Sequence, residues 1–200
     1  MPLEFKPDFE EAAQRWEALY HHEIIDRPVT CITVPIEDNP AKAPQYLAPV
    51  VEGIDRTLDI FEAHLRSHRF LGEAMPGYAP SAGPDMFAAF LGTELRYDLR
   101  VYPEGWPQAW AIKWVENWKD ISLELIRDNE VFTGMMHALE RTAERGNGRY
   151  LSNPLDLHGN YDALASMRGP QELIYDMFDD EEGMLRLGDR LNEIFRQVSD

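Results

Sequence analysis

Apolar residues recur at helical spacing along much of the chain. After Asp8, a capping residue, Phe9, Ala12, Ala13, Trp16, Leu19 and Tyr20 fall on one face, with acids in the first turn, which predicts an amphipathic helix over Asp8 to Tyr20. Beyond Asp26-Arg27-Pro28, the run Val29 to Ile36 is β-branched and too continuously apolar to leave one side in water, so it predicts a first sheet strand covered on both faces. Pro35, Pro40 and Pro44 punctuate a loop. Leu47, Val50, Val51, Ile54, Leu58, Phe61 and Leu65 then mark one face of a long helix ending near Phe70 to Gly72. Glu73 to Gly83 is irregular, rich in Gly and Pro, and holds Tyr78 between two prolines. Pro84 to Leu91 reads as a short helix closed by Gly92.

The period then changes to two. Leu95 to Tyr102 alternates apolar and polar residues, Ala109 to Val115 does so less cleanly, and Pro103-Glu104-Gly105-Trp106-Pro107 joins them, predicting a half-exposed hairpin insertion over 93–118. Trp106, Trp110, Trp114 and Trp118 cluster there, as packing or as a hydrophobic lid. Val131, Phe132, Met135, Met136, Leu139 and Ala143 define another helix, stopped by Gly146-Asn147-Gly148. Arg149 to Leu157 supplies a strand, and Pro170 to Phe178 and Glu181 to Val198 supply the closing helices. Strands separated by helices favour an α/β fold with a parallel sheet.

Composition narrows the function classes. A formal net charge of -17 over 200 residues does not suit a surface that neutralises phosphates, so nucleic acid is excluded as a partner. The acidity reads as solvated helix faces. No apolar run approaches the ~20 residues that span a bilayer, and no basic start precedes an apolar core, so no membrane contact and a cytoplasmic location are expected. The one cysteine, Cys31, sits in the apolar run of the first strand and is expected to be buried there.

Candidate chemistry concentrates in the last third, where an apolar strand runs into Asp156-Leu157-His158-Gly159 and then a helix. Asp156 and His158 alternate on an extended strand, so both could point into a cleft at its carboxyl end, with His158 available as acid, base or ligand; equally, Asp156 could cap the next helix and His158 pack against the sheet. Tyr78 and Asp85 are the loop candidates, each as readily a turn or cap residue. His64 and His68 have the spacing of a metal pair but lack the glutamate of a zinc-protease motif, and His21-His22 suits a helix end. No metal site is expected within the chain.

The chain also resembles the amino-terminal part of the uroporphyrinogen decarboxylase superfamily. The likeness rests on Arg15-Trp16 with Glu23-Ile24-Ile25-Asp26-Arg27-Pro28, on Gly83 through Ala88-Ala89-Phe90-Leu91-Gly92, and on Asp156-Leu157-His158-Gly159 with Asp162-Ala163-Leu164. It continues through Arg168-Gly169-Pro170-Gln171-Glu172-Leu173 and Asp179-Asp180-Glu181. The resemblance implies an α/β fold, a TIM-like (β/α)8 barrel with its cleft at the carboxyl ends of the strands. Since such a barrel takes about 250 residues, residues 1–200 would be its N-terminal half, with 1–26 as helix and lead-in.

Members decarboxylate a tetrapyrrole or move methyl groups to or from corrinoids or thiols. The resemblance therefore implies a small-molecule substrate and a corrinoid protein as partner. Pro35-Ile36-Glu37-Asp38-Asn39-Pro40 stands where the decarboxylase has Arg-Gln-x-Gly-Arg-Tyr, and Ala165-Ser166-Met167-Arg168-Gly169 replaces its Tyr-Met-Ile/Val-Glu-Gly. Both departures argue against true uroporphyrinogen decarboxylation, because an octa-acid needs arginines to hold its carboxylates. The zinc of the methyltransferase branch would come only from residues beyond Asp200. The alternative class is a non-catalytic ligand- or partner-binding domain whose tryptophan hairpin forms an interface within a homodimer.

Overall fold

The computed structural model of the protein describes residues 2–36 and 38–199. Met1 and Asp200, the ends of the expected 1–200 domain, and Glu37, in the run after the first strand, lie outside the described residues, as does the side chain of Asp120. In chain order the elements are α1 (Phe9–Tyr20), β1 (Cys31–Pro35), α2 (Ala48–Val51), α3 (Ile54–Arg66), β2 (His68–Gly72), β3 (Gly77–Tyr78) and α4 (Met86–Phe90). They continue with β4 (Leu95–Asp98), β5 (Gln108–Ala111), a 3-10 turn (Trp118–Asp120), α5 (Glu130–Gly146), β6 (Leu151–Ser152), α6 (Tyr161–Arg168), α7 (Pro170–Asp179) and α8 (Glu181–Ser199). The residues form two compact units. The first comprises Met1–Pro44, Ala48–Pro80 and Ala138–Asn153, and the second Gln45–Leu47, Ser81–His137 and Pro154–Asp200.

In the first unit the apolar stripe of α3 carries the core. Leu58, Phe61 and Leu65 bury themselves with Tyr78 and Tyr150, and Phe61 meets both tyrosine rings, at 5.0 and 5.2 Å between centroids. Short parallel pairing of β3 with β6, Gly77 opposite Leu151 and Tyr78 opposite Ser152, brings those two tyrosine segments side by side. Three buried charges are held only because each is paired. Lys6 Nζ donates to the carbonyls of Gly72 (2.6 Å) and Phe70 (3.1 Å) and to Asp8. Glu73 accepts a fork from Arg27, and Glu62 is flanked by Arg145 and Arg149. Burial alone would raise the Glu62 pKa; the two arginines outweigh it and lower it.

In the second unit α4 is buried along its whole length, Met86 to Phe90. Phe87 meets Phe195 of α8 edge-on at 5.6 Å, and Phe90 meets Phe132 of α5 at 5.2 Å. Leu164 and Met167 of α6 and Leu191 and Ile194 of α8 are fully buried as well. The hairpin pairs β4 with β5 antiparallel, from Leu95 opposite Ala111 to Asp98 opposite Gln108. The backbone N–H groups of Trp114 and Val115 then donate to the carbonyl of Met167, at the end of α6.

The chain is thus a mixture of helices and small sheets, compatible with the α/β class, and no closed barrel is formed among the described residues. Among the described residues its sheets are three separate strand pairs, two antiparallel and one parallel. Several expectations are corrected. The first strand is not covered on both faces: among the described residues β1 pairs only with β2, a ribbon that covers neither face by itself, and Ile32 is 47% exposed. Cys31, expected to be buried, is exposed on that ribbon.

The long helix is two helices, broken at Gly53 where φ is +78°, and it ends at Arg66 rather than near Phe70. There the Ser67 hydroxyl donates to the carbonyl of His64, and the next five residues leave the helix to pair with β1. The expected strand over Arg149 to Leu157 shrinks to Leu151–Ser152. Its partner is two residues long, and Pro154, just beyond the last ladder bond from Asn153 N–H to the Tyr78 carbonyl, has no N–H to extend it.

Candidate functional site

In the second unit a pocket of about 460 Å³ collects the polar residues that the sequence scatters: Asp85 from the start of α4, Lys113 after β5, His158 from the loop before α6, and Asp162 and Ser166 from α6 itself. Asp85 occupies the N-cap position of α4 but makes no side-chain cap bond there. Its carboxylate turns instead to the pocket wall, where Oδ2 accepts from the backbone N–H of Ala111 (2.9 Å) and Oδ1 lies 2.6 Å from the Ser166 hydroxyl. Two donors from different elements fix the orientation of the group. The Ser166 hydroxyl is also 2.9 Å from the carbonyl of Asp162, so its proton is shared between two acceptors.

His158 is half-exposed at the pocket and its Nε2 lies 3.7 Å from Oδ2 of Asp156. Asp156 is 84% exposed, so the pair is weakly held and the imidazole stays free to meet a ligand. Both residues lie in a loop without strand pairing, yet exposure alternates with a period of two from Leu151 to Asn160, and Asp156 and His158 share its exposed side. Lys113 pairs with Glu172 at 3.3 Å and stays largely exposed, and Trp110 adds an apolar wall. Of the residues singled out from sequence, Asp85 and His158 therefore meet in one pocket, with Asp156 beside His158. Tyr78 belongs to the core of the first unit, packed on Phe61.

Ser166, Asp162 and Lys113 were not singled out by sequence reasoning. A signal for two of them existed: Asp162, Ala165, Ser166 and Gly169 follow i, i+3, i+4, i+7 spacing, and all four line the pocket. That face of α6 is its small and polar one, while Ala163, Leu164 and Met167 face the core.

The four hairpin-region tryptophans take separate partners. Trp106 stacks on Tyr46 at 4.9 Å, Trp110 lines the pocket, Trp114 Nε1 donates to Thr93 Oγ1, and Trp118 Nε1 donates to Asp176 Oδ2. Asp176 also accepts a two-pronged contact from Arg168, 2.7 and 3.1 Å, which holds its carboxyl below the usual range. This clamp lines a wider groove of about 770 Å³ in the same unit, and its polar groups are satisfied by one another.

No three His, Cys, Asp or Glu among the described residues stand together to hold a metal ion. No helix among the described residues is long and apolar enough to cross a membrane. Comparison with models of known families, with curated proteins and with solved structures finds no match.

Proposed function

We propose that the pocket around Asp85 and His158 is the small-molecule acid–base site of an enzyme resembling the uroporphyrinogen decarboxylase superfamily, acting on a tetrapyrrole or transferring a methyl group to or from a corrinoid or a thiol. In this reading the chain contributes the N-terminal half of a TIM-like (β/α)8 barrel, and a corrinoid protein is its partner in methyl transfer. One observation carries the proposal: Asp85 and His158, far apart in sequence, line the same pocket, with the Asp85 carboxylate oriented by the Ala111 N–H and the Ser166 hydroxyl.

An imidazole is the side chain suited to moving a proton near neutral pH. In methyl transfer to a thiol, His158 takes the S–H proton as sulfur attacks the methyl carbon, and the electron pair of the breaking bond stays with the methyl donor. Asp85, held by the Ala111 N–H and the Ser166 hydroxyl, positions substrate, and Lys113 offers a cation to an acidic substrate group.

A second reading, a non-catalytic binding domain that pairs with a second copy of the chain, draws on the exposure of Trp106 (66%), Trp110 (43%) and Trp114 (44%). The test measures turnover of a porphyrin substrate and of a methylated corrinoid with a thiol acceptor by wild type, His158→Ala and Asp85→Asn. A loss of about 10²–10⁴-fold in His158→Ala with an unchanged circular dichroism spectrum supports the enzyme. Full turnover in that variant sinks it, and ligand binding without any turnover in the wild type supports the binding domain.

A further inference from the structure

Away from the pocket, one pair of ligand-type side chains is held by a built frame. His64, in the last turn of α3, and His68, the first residue of β2, stack their imidazole rings with centroids 4.0 Å apart and planes inclined by 37°. Each ring is fixed through Nδ1: that of His64 is 2.9 Å from the carbonyl of Ala41, and that of His68 is 2.9 Å from the carbonyl of His64 and 3.0 Å from the Ser67 hydroxyl. A carbonyl oxygen can only accept, so in each neutral ring the proton sits on Nδ1 and the lone pair on Nε2.

Ser67 closes the frame. Its hydroxyl donates to the carbonyl of His64 and accepts from the N–H of Ala41, tying the Ala41 loop to the end of the helix. Both rings are half-buried, and neither Nε2 has a hydrogen-bond partner among the described residues. An Nδ1–H bonded to a backbone carbonyl is the outer-shell arrangement that orients metal-binding histidines and raises the basicity of Nε2.

We propose that His64 and His68 form a two-imidazole chelate for a borderline divalent transition ion, Ni²⁺, Cu²⁺ or Zn²⁺, bound through the two Nε2 atoms. The distance from such an ion to an imidazole nitrogen is about 2.0 Å, so binding turns the two adjacent rings until their Nε2 lone pairs converge on one ion. No third His, Cys, Asp or Glu joins them among the described residues, so water fills the other positions and the ion exchanges readily. With nitrogen donors alone the site selects against Mg²⁺ and Ca²⁺, which require oxygen ligands.

The experiment titrates the full chain with Ni²⁺, Zn²⁺ and Mg²⁺ separately, reading heat and the side-chain nitrogen resonances of all six histidines. Before metal is added, His64 and His68 should both show the Nδ1–H tautomer. One equivalent of Zn²⁺ should then shift the Nε2 resonances of these two histidines first, Ni²⁺ should broaden the same two, and Mg²⁺ should give no response. His64→Ala and His68→Ala should each weaken binding at least about tenfold, since one imidazole of two is lost, while His21→Ala with His22→Ala should leave it unchanged. An Nε2–H tautomer in either ring, or a first equivalent that perturbs other histidines, overturns the proposal without recourse to a variant. Full affinity in either single variant does so as well.

Discussion

Replacing Glu73 with Gln removes a buried charge while keeping the shape of the side chain, and its cost follows from the partners left behind. The carboxylate has no solvent exposure and accepts from the two terminal nitrogens of Arg27 at 2.6 and 2.7 Å and from the Thr30 N–H at 2.9 Å, with Arg15 at 3.5 Å. The Arg27 fork is the main reason its pKa falls from 4.5 to about 2; burial opposes this, and the Thr30 N–H and Arg15 add to it.

Breaking a wholly buried ion pair costs about 3–5 kcal/mol. Here the Arg27 side chain is 41% exposed and regains water, so we expect about 2–3 kcal/mol for Glu73→Gln. Urea denaturation at pH 7 should show a midpoint lower by about 1 M, at a slope of roughly 2–3 kcal/mol per M.

The pH dependence has a definite sign. The folded pKa lies below the unfolded one, so the stabilisation is fully present above about 4.5 and is lost as pH falls toward about 2. The gap between wild type and Glu73→Gln should therefore be constant from pH 7 to about 5 and close below that. A midpoint change equivalent to less than about 0.5 kcal/mol, or a gap that ignores pH, would refute the reasoning.

Tyr150 buries a hydroxyl with no hydrogen-bond partner, and burial, aided by Glu62 and opposed by Arg145 and Arg149, pushes its pKa up to about 12. Tyr150→Phe should raise stability by about 1 kcal/mol in denaturation and remove the last-titrating tyrosine from an absorbance titration at high pH. Because the pKa is raised in the folded state, wild-type stability falls as pH rises from the ordinary value of 10 through 12, a loss that Tyr150→Phe removes; a variant destabilised at neutral pH contradicts the unpartnered hydroxyl. Gly72 has φ +60° and a Cβ there would lie 2.2 Å from the Thr30 carbonyl oxygen, so Gly72→Ala should cost at least about 2 kcal/mol. Gly134, inside α5 with open space around it, is the control: Gly134→Ala should stabilise by up to about 1 kcal/mol, and equal effects at the two positions in thermal melts would refute the distinction.

The helices were legible because their signals are local. The stripe Phe9, Ala12, Trp16 and the stripe Met184, Leu187, Leu191, Ile194 each lie on one helix, and α1, α7 and α8 begin and end within about a residue or two of the expected positions. A period of 3.6 and i to i+4 hydrogen bonds need nothing from the rest of the chain. The hairpin was legible for the same reason, its strands being neighbours in sequence.

What the sequence by itself determined is therefore the set of local elements, the acidic net charge of -17, and Asp85 and His158 as polar residues worth attention. Tertiary structure decided the rest. Only pairing partners distant in the chain show that β1 joins β2 in an open ribbon that leaves Cys31 in water, and that β3 with β6 places Tyr78 in a core. Only packing turns the Asp85 carboxylate away from its own helix toward Ala111 and Ser166. Strand partnership, burial and the meeting of side chains depend on contacts between distant segments, and a local pattern carries the capacity for such contacts but not the choice among them.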